Sequence, residues 1–527
     1  MGQKRFQPLL FVWLIAALAF YPVLGGAFVW DELIYLENQR SQPHGQTALD
    51  AFAVESDQNT WIFRPITTIV MRAAYGLAAI IVPEETPPAD PRRAWPPHLF
   101  SLGLHLAAIG MLMLFAARCL RGRAGAAFGT FAAGLVFALH PIHVENVAWS
   151  AATADTLATS FVLGSLVAFS KGREKGSALA YGLAASLFAL AVFSKEVVVP
   201  CIVVYATWEF FFAQDRKSSR TMKHSAVLAA VTIFAVGYFW LRSGRGFTVI
   251  EYSHPDPGLA FKQILSAIGF YTRKIWFPWP LTPMIPRFPG LAQTLAWVAI
   301  GAALSGWALY ASKRGDRLYL FCVLWFYLTC IPSLYIALRG LECIVLAERF
   351  LYLPSVGFAV ALGALAGRLW ESRARNVMLA TLGALVVVYG VTSWKGTWLW
   401  HTEKNLMTAI TQQEQSKNQI LGWANLGVAH IASGRLDEAE RCFRKALSPG
   451  MDGLRYQRDK TRAFLAYVLF YECAANRGLA DRQDLTRNQV SREEAEKEFR
   501  IASAADSEDR SRLNVLNYAQ LYRSLCE

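Results

Sequence analysis

Apolar runs of roughly 16–22 residues recur along this chain as far as Val391, each long enough, or nearly so, to cross a hydrocarbon core of about 30 Å as a helix. After about Trp400 no run of that kind appears. The chain therefore reads as an all-α, polytopic membrane region followed by a water-soluble helical tail. The charge content agrees: 17% of the 527 residues are charged, against about 25% in a typical soluble domain.

The apolar runs place about eleven spans, at 8–29, 97–117, 126–145, 152–170, 177–193, 197–213, 225–242, 291–311, 318–337, 353–368 and 376–393. Basic residues cluster in short loops between them: Lys4-Arg5, Arg118 with Arg121 and Arg123, Lys171 to Lys175, Arg216 to Lys223, Lys313 to Arg317, and Arg368 to Arg375. The positive-inside bias puts all of these loops in the cytoplasm, which leaves the tail on the opposite side. The net charge is +13, and the tail from His401 carries 19 basic and 18 acidic residues, so the excess belongs to the membrane part. That distribution excludes nucleic-acid binding as its explanation. The first apolar stretch reads as an uncleaved span, since no small-residue cleavage site precedes the acidic loop.

Two domains follow, 1–400 in the membrane and 401–527 outside it, in periplasm or lumen. The first outer loop, 30–96, is long enough to be functional and is expected to hold short helices near Thr47–Ala53 and Arg64–Ala79. The segment 261–283 mixes Lys262, Arg273 and Lys274 with Trp276, Phe277 and Trp279, and reads as a helix lying on the outer interface. In the tail, Trp423, Leu426, Gly427, Gly434, Ala439, Phe443 and Ala446 follow tetratricopeptide spacing, and Ala495, Phe499 and Ala502 repeat its second-helix signature. Arg462–Cys473 supplies a first helix for that second repeat and Arg477–Ser491 an inserted loop. Such arrays bind peptides or proteins. The eight cysteines show no CxxC pairs or metal spacing.

Candidate chemistry gathers in the outer loops. Asp31 and Glu32 are adjacent carboxylates just past the first span, suited to general-base work on a lipid-borne substrate. His140, His143 and Glu145 end the third span and Asp155 enters the fourth, where ionisable groups are expensive unless paired or functional. For the two histidines and Glu145, hydrogen-bonded structure, substrate contact and metal ligation remain open. Arg64, Lys195, Arg273, Lys274 and Arg349 are outward cations of the kind a phosphate leaving group requires. Glu196 and Glu348 adjoin Lys195 and Arg349 in sequence and are expected to neutralise them. No P-loop, dinucleotide-binding glycine pattern or serine-nucleophile elbow is present.

Four segments resemble the TMTC-type protein O-mannosyltransferases: Phe137–Trp149, Phe193–Glu196, Pro278–Leu281, and Ala347–Ser355, which contains Tyr352. The resemblance implies a multi-spanning GT-C glycosyltransferase with appended tetratricopeptide repeats. It implies a sugar donor on polyprenyl or dolichyl phosphate and a site on the non-cytoplasmic side. Asp31 would be the catalytic carboxylate, with Glu32 beside it, and an exported protein the acceptor; Arg64, Lys195, Arg273, Lys274, Arg349 and Tyr352 are candidates for the donor phosphate from the residues themselves. No cofactor or metal is implied. One departure stands out: the family usually has Gly-Arg before the aspartate opening the fourth span, and here Ala152-Thr153-Ala154 precede Asp155. Transfer onto a glycolipid or polysaccharide, and a non-catalytic flippase or assembly scaffold, are the competing readings.

Overall fold

The computed structural model describes residues 3–30, 32, 48–52, 63–83, 86, 90–212, 218–243, 256–339, 344–453, 455–476, 492–503 and 520. Asp31 and the expected inserted loop Arg477–Ser491 lie outside the described residues. Among those described, every regular element is a helix. The chain divides into two compact units, one built from Met1–Leu281, Phe288–Gly340 and Leu346–His401, the other from Thr282–Arg287, Leu341–Val345 and Thr402–Glu527.

In the first unit, six helices are long and apolar enough to cross a bilayer: Pro8–Gly25, Pro91–Cys119, Ser150–Lys175, Leu291–Lys313, Leu318–Leu338 and Arg375–Leu399. Ala126–Leu139 and Pro141–Ala148 form a seventh if counted together, bent by 50°. The other four expected spans correspond to Ala178–Ser194, Cys201–Phe212, Ser218–Ser243 and Ser355–Trp370. The bend has a local cause, because Pro141 cannot donate a backbone hydrogen bond to the preceding turn. The chain is a multi-pass helical membrane protein.

Helix pairs approach most closely through glycine. A side chain on Gly129 would meet the Gly363 carbonyl at 2.6 Å, and one on Gly363 would meet the Gly129 carbonyl at 2.4 Å. Small residues let backbones pack without a hydrophobic driving force inside lipid. At the same helix ends, Arg123 and Arg368 share Asp316, and Glu371 caps the Gly125 amide. A helix occupies Pro65–Ile81 in the long first loop, and another runs Pro257–Trp276, capped by Asp256.

The second unit stacks helices Glu403–Gln412, Ile420–Ala432, Leu436–Ala446, Arg455–Asn476 and Arg492–Ser503. Its core takes Ala439, Phe443, Ala466, Phe470, Ala495, Phe499 and Ala502, which include second-helix positions of both repeats. Gly434, at φ 71°, turns the first helix of the first repeat into the second. Gly427 sits where a side chain would strike the Phe443 ring at 2.5 Å, which is why a small residue stands there. Arg287 pairs with Asp452 within this unit. Cys442 is a buried free thiol.

Candidate functional site

Four cations from separate stretches of sequence meet four carboxylates where helices end. Lys195 reaches Asp155 at 2.5 Å, both buried. Arg349 pairs with Glu145, which also accepts from the Arg349 amide at 3.3 Å. Arg64 makes a two-point contact with Glu196 at 2.7 and 3.1 Å. Lys274 pairs with Glu348 and donates to the Pro278 and Pro280 carbonyls. Arg273 donates to the Trp279 carbonyl instead.

The pairing corrects one expectation. Glu196 and Glu348 do not neutralise their neighbours Lys195 and Arg349; each sequence-adjacent couple splits between two partners. Lys195 is extended, at φ −160° and ψ 128°, and Glu196 opens a 3-10 turn, so successive side chains diverge. Glu348 and Arg349 instead follow each other inside the 3-10 turn Glu348–Leu351, where about three residues per turn send neighbouring side chains in different directions. The split links the four pairs, with Arg64–Glu196 joined through Lys195 to Asp155, and Arg349–Glu145 joined through Glu348 to Lys274.

Charge state follows from this arrangement. Burial pushes the Lys195 ammonium below its usual range; Asp155 opposes that, while Arg64 and Arg349 add to it. Burial raises the Glu196 carboxyl, but the Arg64 guanidinium overcomes it and leaves the group well below the ordinary carboxylate range. The Tyr238 hydroxyl donates to the Phe63 carbonyl at 2.9 Å, and Thr67 donates to the Ser194 carbonyl at 2.8 Å. These bonds fasten the first-loop helix to the Lys195 turn.

The acid pair of the first loop divides as well. Glu32 is 0% exposed; its carboxylate accepts from the Val29 amide at 2.7 Å and the Ser150 amide at 2.6 Å. His98 lies 3.5 Å from it and is fixed through Nδ1 to the Val23 carbonyl at 2.9 Å. Glu32 is thus a clamp on backbone, not a carboxylate open to substrate as the sequence suggested. Trp30 takes a left-handed conformation at φ 54°, which a bulky residue adopts only when its surroundings hold it there. Its ring stacks on Trp400 at 6.4 Å and meets Trp149 at 5.9 Å, and Arg349 lies 5.3 Å over the Trp149 ring.

The histidines resolve into hydrogen-bonded structure. His140 Nε2 bonds the Ile275 carbonyl at 3.0 Å, and His143 Nε2 meets the Ser355 hydroxyl at 2.9 Å. Among the described residues no three His, Cys, Asp or Glu side chains converge as a metal set. Tyr352 is buried, and its hydroxyl meets His105 Nδ1 at 2.7 Å. His105 Nε2 faces the Ala138 carbonyl, so Nε2 carries the imidazole proton and the Tyr352 proton goes to Nδ1. That proton is engaged by His105 within the protein. His105 escaped the sequence reading although an ionisable residue inside an apolar run is itself a signal. Asn146, Trp149 and Trp400 had no comparable signal.

Buried ion pairs at the helix ends and a helical repeat define a multi-pass membrane protein with a tetratricopeptide module. A tetratricopeptide-repeat profile matches residues 420–448. Across most of its length the chain is similar to protein O-mannosyl-transferases of animals. It is 23% identical to Drosophila melanogaster Tmtc1 over 66% of this chain and 51% of that protein. It is 24% identical to Xenopus laevis tmtc2 over 73% and 54%, and 21% identical to Mus musculus TMTC3 over 88% and 53%. The chain is a distant relative of the TMTC-type proteins and spans about half the length of the curated relatives it matches.

Proposed function

We propose that the chain is an inverting GT-C glycosyltransferase. It moves a hexose, mannose by resemblance, from a polyprenyl-phosphate carrier to a hydroxyl of an exported protein. The observation that carries this reading is the set of buried and part-buried pairs made by Arg64, Lys195, Lys274 and Arg349, with Arg349 over the Trp149 ring that meets Trp30, the residue preceding Asp31. A lysine offers three N–H donors and an arginine five, so Lys195, Arg64 and Arg349 keep donors for a phosphate diester, whereas Lys274 spends its three on Glu348, Pro278 and Pro280.

In the proposed reaction, Asp31 takes the proton of the acceptor hydroxyl as its oxygen bonds to the anomeric carbon. The bond from that carbon to the phosphate oxygen breaks, and its electron pair leaves with the polyprenyl phosphate. Lys195 and Arg349 receive the charge that develops there. One displacement without a protein nucleophile inverts the sugar. Glu32 holds the turn rather than the proton. A long isoprenoid cannot leave the bilayer, so the reaction belongs at the interface. Support for the non-cytoplasmic side comes from Arg118, Arg121, Arg123, Lys313, Arg317, Arg368 and Arg375, which lie at helix ends away from the site and mark the cytoplasmic face. The repeat unit favours a protein acceptor over a glycolipid or polysaccharide.

The test is release of label from polyprenyl-phosphate [14C]mannose by the purified full chain. Asp31→Asn should abolish release with an unchanged melting temperature. Near-normal activity in that variant would refute the assignment of the base, and a wild type that releases nothing with its acceptor present would favour a flippase or scaffold.

A further inference from the structure

The short helix Val144–Ala148 and its cap Trp149 bring three side chains against one residue, Arg349. Glu145 pairs with the guanidinium, Asn146 Nδ2 donates to the Arg349 carbonyl at 3.4 Å, and the guanidinium covers the Trp149 ring at 5.3 Å. Among the described residues, two polar atoms of this turn have no hydrogen-bond partner, Asn146 Oδ1 and Trp149 Nε1, although both are shut off from solvent. The orientation of the carboxamide is not arbitrary. A carbonyl oxygen only accepts, so the atom facing Arg349 must be the amide nitrogen, and the oxygen is the one left over. The indole is equally fixed, stacked on Trp400 at 5.7 Å and flanked by Trp30.

Each buried polar atom without a partner costs about 1–3 kcal/mol, and native proteins keep few of them. Here an acceptor and a donor stand one helical turn apart, both against a residue that the proposed function places on the donor phosphate. The pair is selective in its chemistry. An anion would satisfy the indole N–H but not the carboxamide oxygen, and an apolar group would satisfy neither. A hydroxyl satisfies both, whether of a trapped water or of a polyol, because it can donate and accept.

We propose that Asn146 and Trp149 form the hydroxyl-reading subsite for the hexose of the lipid-linked donor. Asn146 Oδ1 accepts from one sugar hydroxyl and Trp149 Nε1–H donates to another, with Arg349 fixing the phosphate between them. The inference rests on the donor reading above and adds to it the residues that read the sugar.

The experiment measures binding, in detergent, of polyprenyl-phosphate mannose and of bare polyprenyl phosphate to the full chain, wild type against Asn146→Leu and Trp149→Phe. Wild type should prefer the sugar-bearing lipid. Each variant should lose roughly ten-fold or more of that preference and bind the bare lipid as before. Asn146→Leu should melt no lower than wild type, since it removes an unsatisfied oxygen and leaves the Arg349 carbonyl its bond from the Tyr352 amide at 3.1 Å. A preference that survives both substitutions overturns the subsite while the donor reading stands. A lower melting point with both lipids weakened alike also overturns it, marking the pair as structural. A wild type without preference for the sugar-bearing lipid, yet active in label release, overturns the subsite alone; one that neither prefers nor releases takes the donor reading down with it.

Discussion

In the membrane unit, the cations of the candidate site take their carboxylates from far along the chain, buried on both sides for Lys195 with Asp155 and part-buried for Arg349 with Glu145 and Arg64 with Glu196. In the repeat unit several partners lie three or four residues away with at least one of the two meeting solvent, as for Arg444 with Glu440, Arg462 with Asp459 and Lys417 with Glu414, and the distant pair there, Arg287 with Asp452, is exposed on both sides. The difference separates two uses of charge. Local surface pairs reinforce a helix by a few tenths of a kcal/mol. Buried long-range pairs bring little net stability over apolar replacements, because desolvation offsets their attraction. Their value lies in holding charged groups at fixed positions, which the proposed donor-phosphate site requires.

The comparison breaks or sharpens under graded substitutions. The largest effect is expected from Lys195→Met, which strands the buried Asp155 carboxylate and should cost roughly 3–5 kcal/mol in detergent unfolding. The double variant Lys195→Met/Asp155→Leu should regain most of that stability and still transfer no sugar. If the single change costs no more than a surface pair, the distinction between the two units is wrong. Next comes the Arg64–Glu196 pair, worth about 2 kcal/mol as a charge-assisted contact. Because the folded Glu196 carboxyl lies below its ordinary value of 4.5, the stabilisation is complete above that value and is lost as pH falls toward the lower folded one. Melting curves taken downward from pH 7 should therefore steepen on the acid side, and Glu196→Gln should flatten that slope. Gly427→Ala, which presses a methyl group toward the Phe443 ring, should lower the melting of the repeat unit by about 1–3 kcal/mol and leave donor binding intact. Arg444→Gln should be the mildest change, below about 0.5 kcal/mol, measured by the same melting.

The same difference decides what could be read from sequence. The repeat was legible because its signals are local: Ala439, Phe443 and Ala446 share one helix face, and their spacing states their burial. Spans were legible from apolar runs, though helices such as Cys201–Phe212 are shorter than a bilayer-crossing length. Lys195 and Arg349 were visible as expensive charges in apolar surroundings. Their partners were not, because adjacency in sequence suggested Glu196 and Glu348, while tertiary packing turned successive side chains apart. Glu32 misled in the opposite direction: an acid beside an acid looks like chemistry, and only the Val29 and Ser150 amides reveal a clamp. Asn146 and Trp149 fell inside a segment that carries the resemblance, yet nothing marked them individually, since an unsatisfied atom is defined by what surrounds it in space.

The amide of Ala27 donates to the His401 carbonyl at 2.9 Å, and Trp30 rests on Trp400. The turn leading into the acid motif is therefore sealed by residues synthesised more than three hundred positions later. A nascent chain in which helix Arg375–Leu399 has not yet inserted lacks that seal, so the turn closes only once that helix is in place.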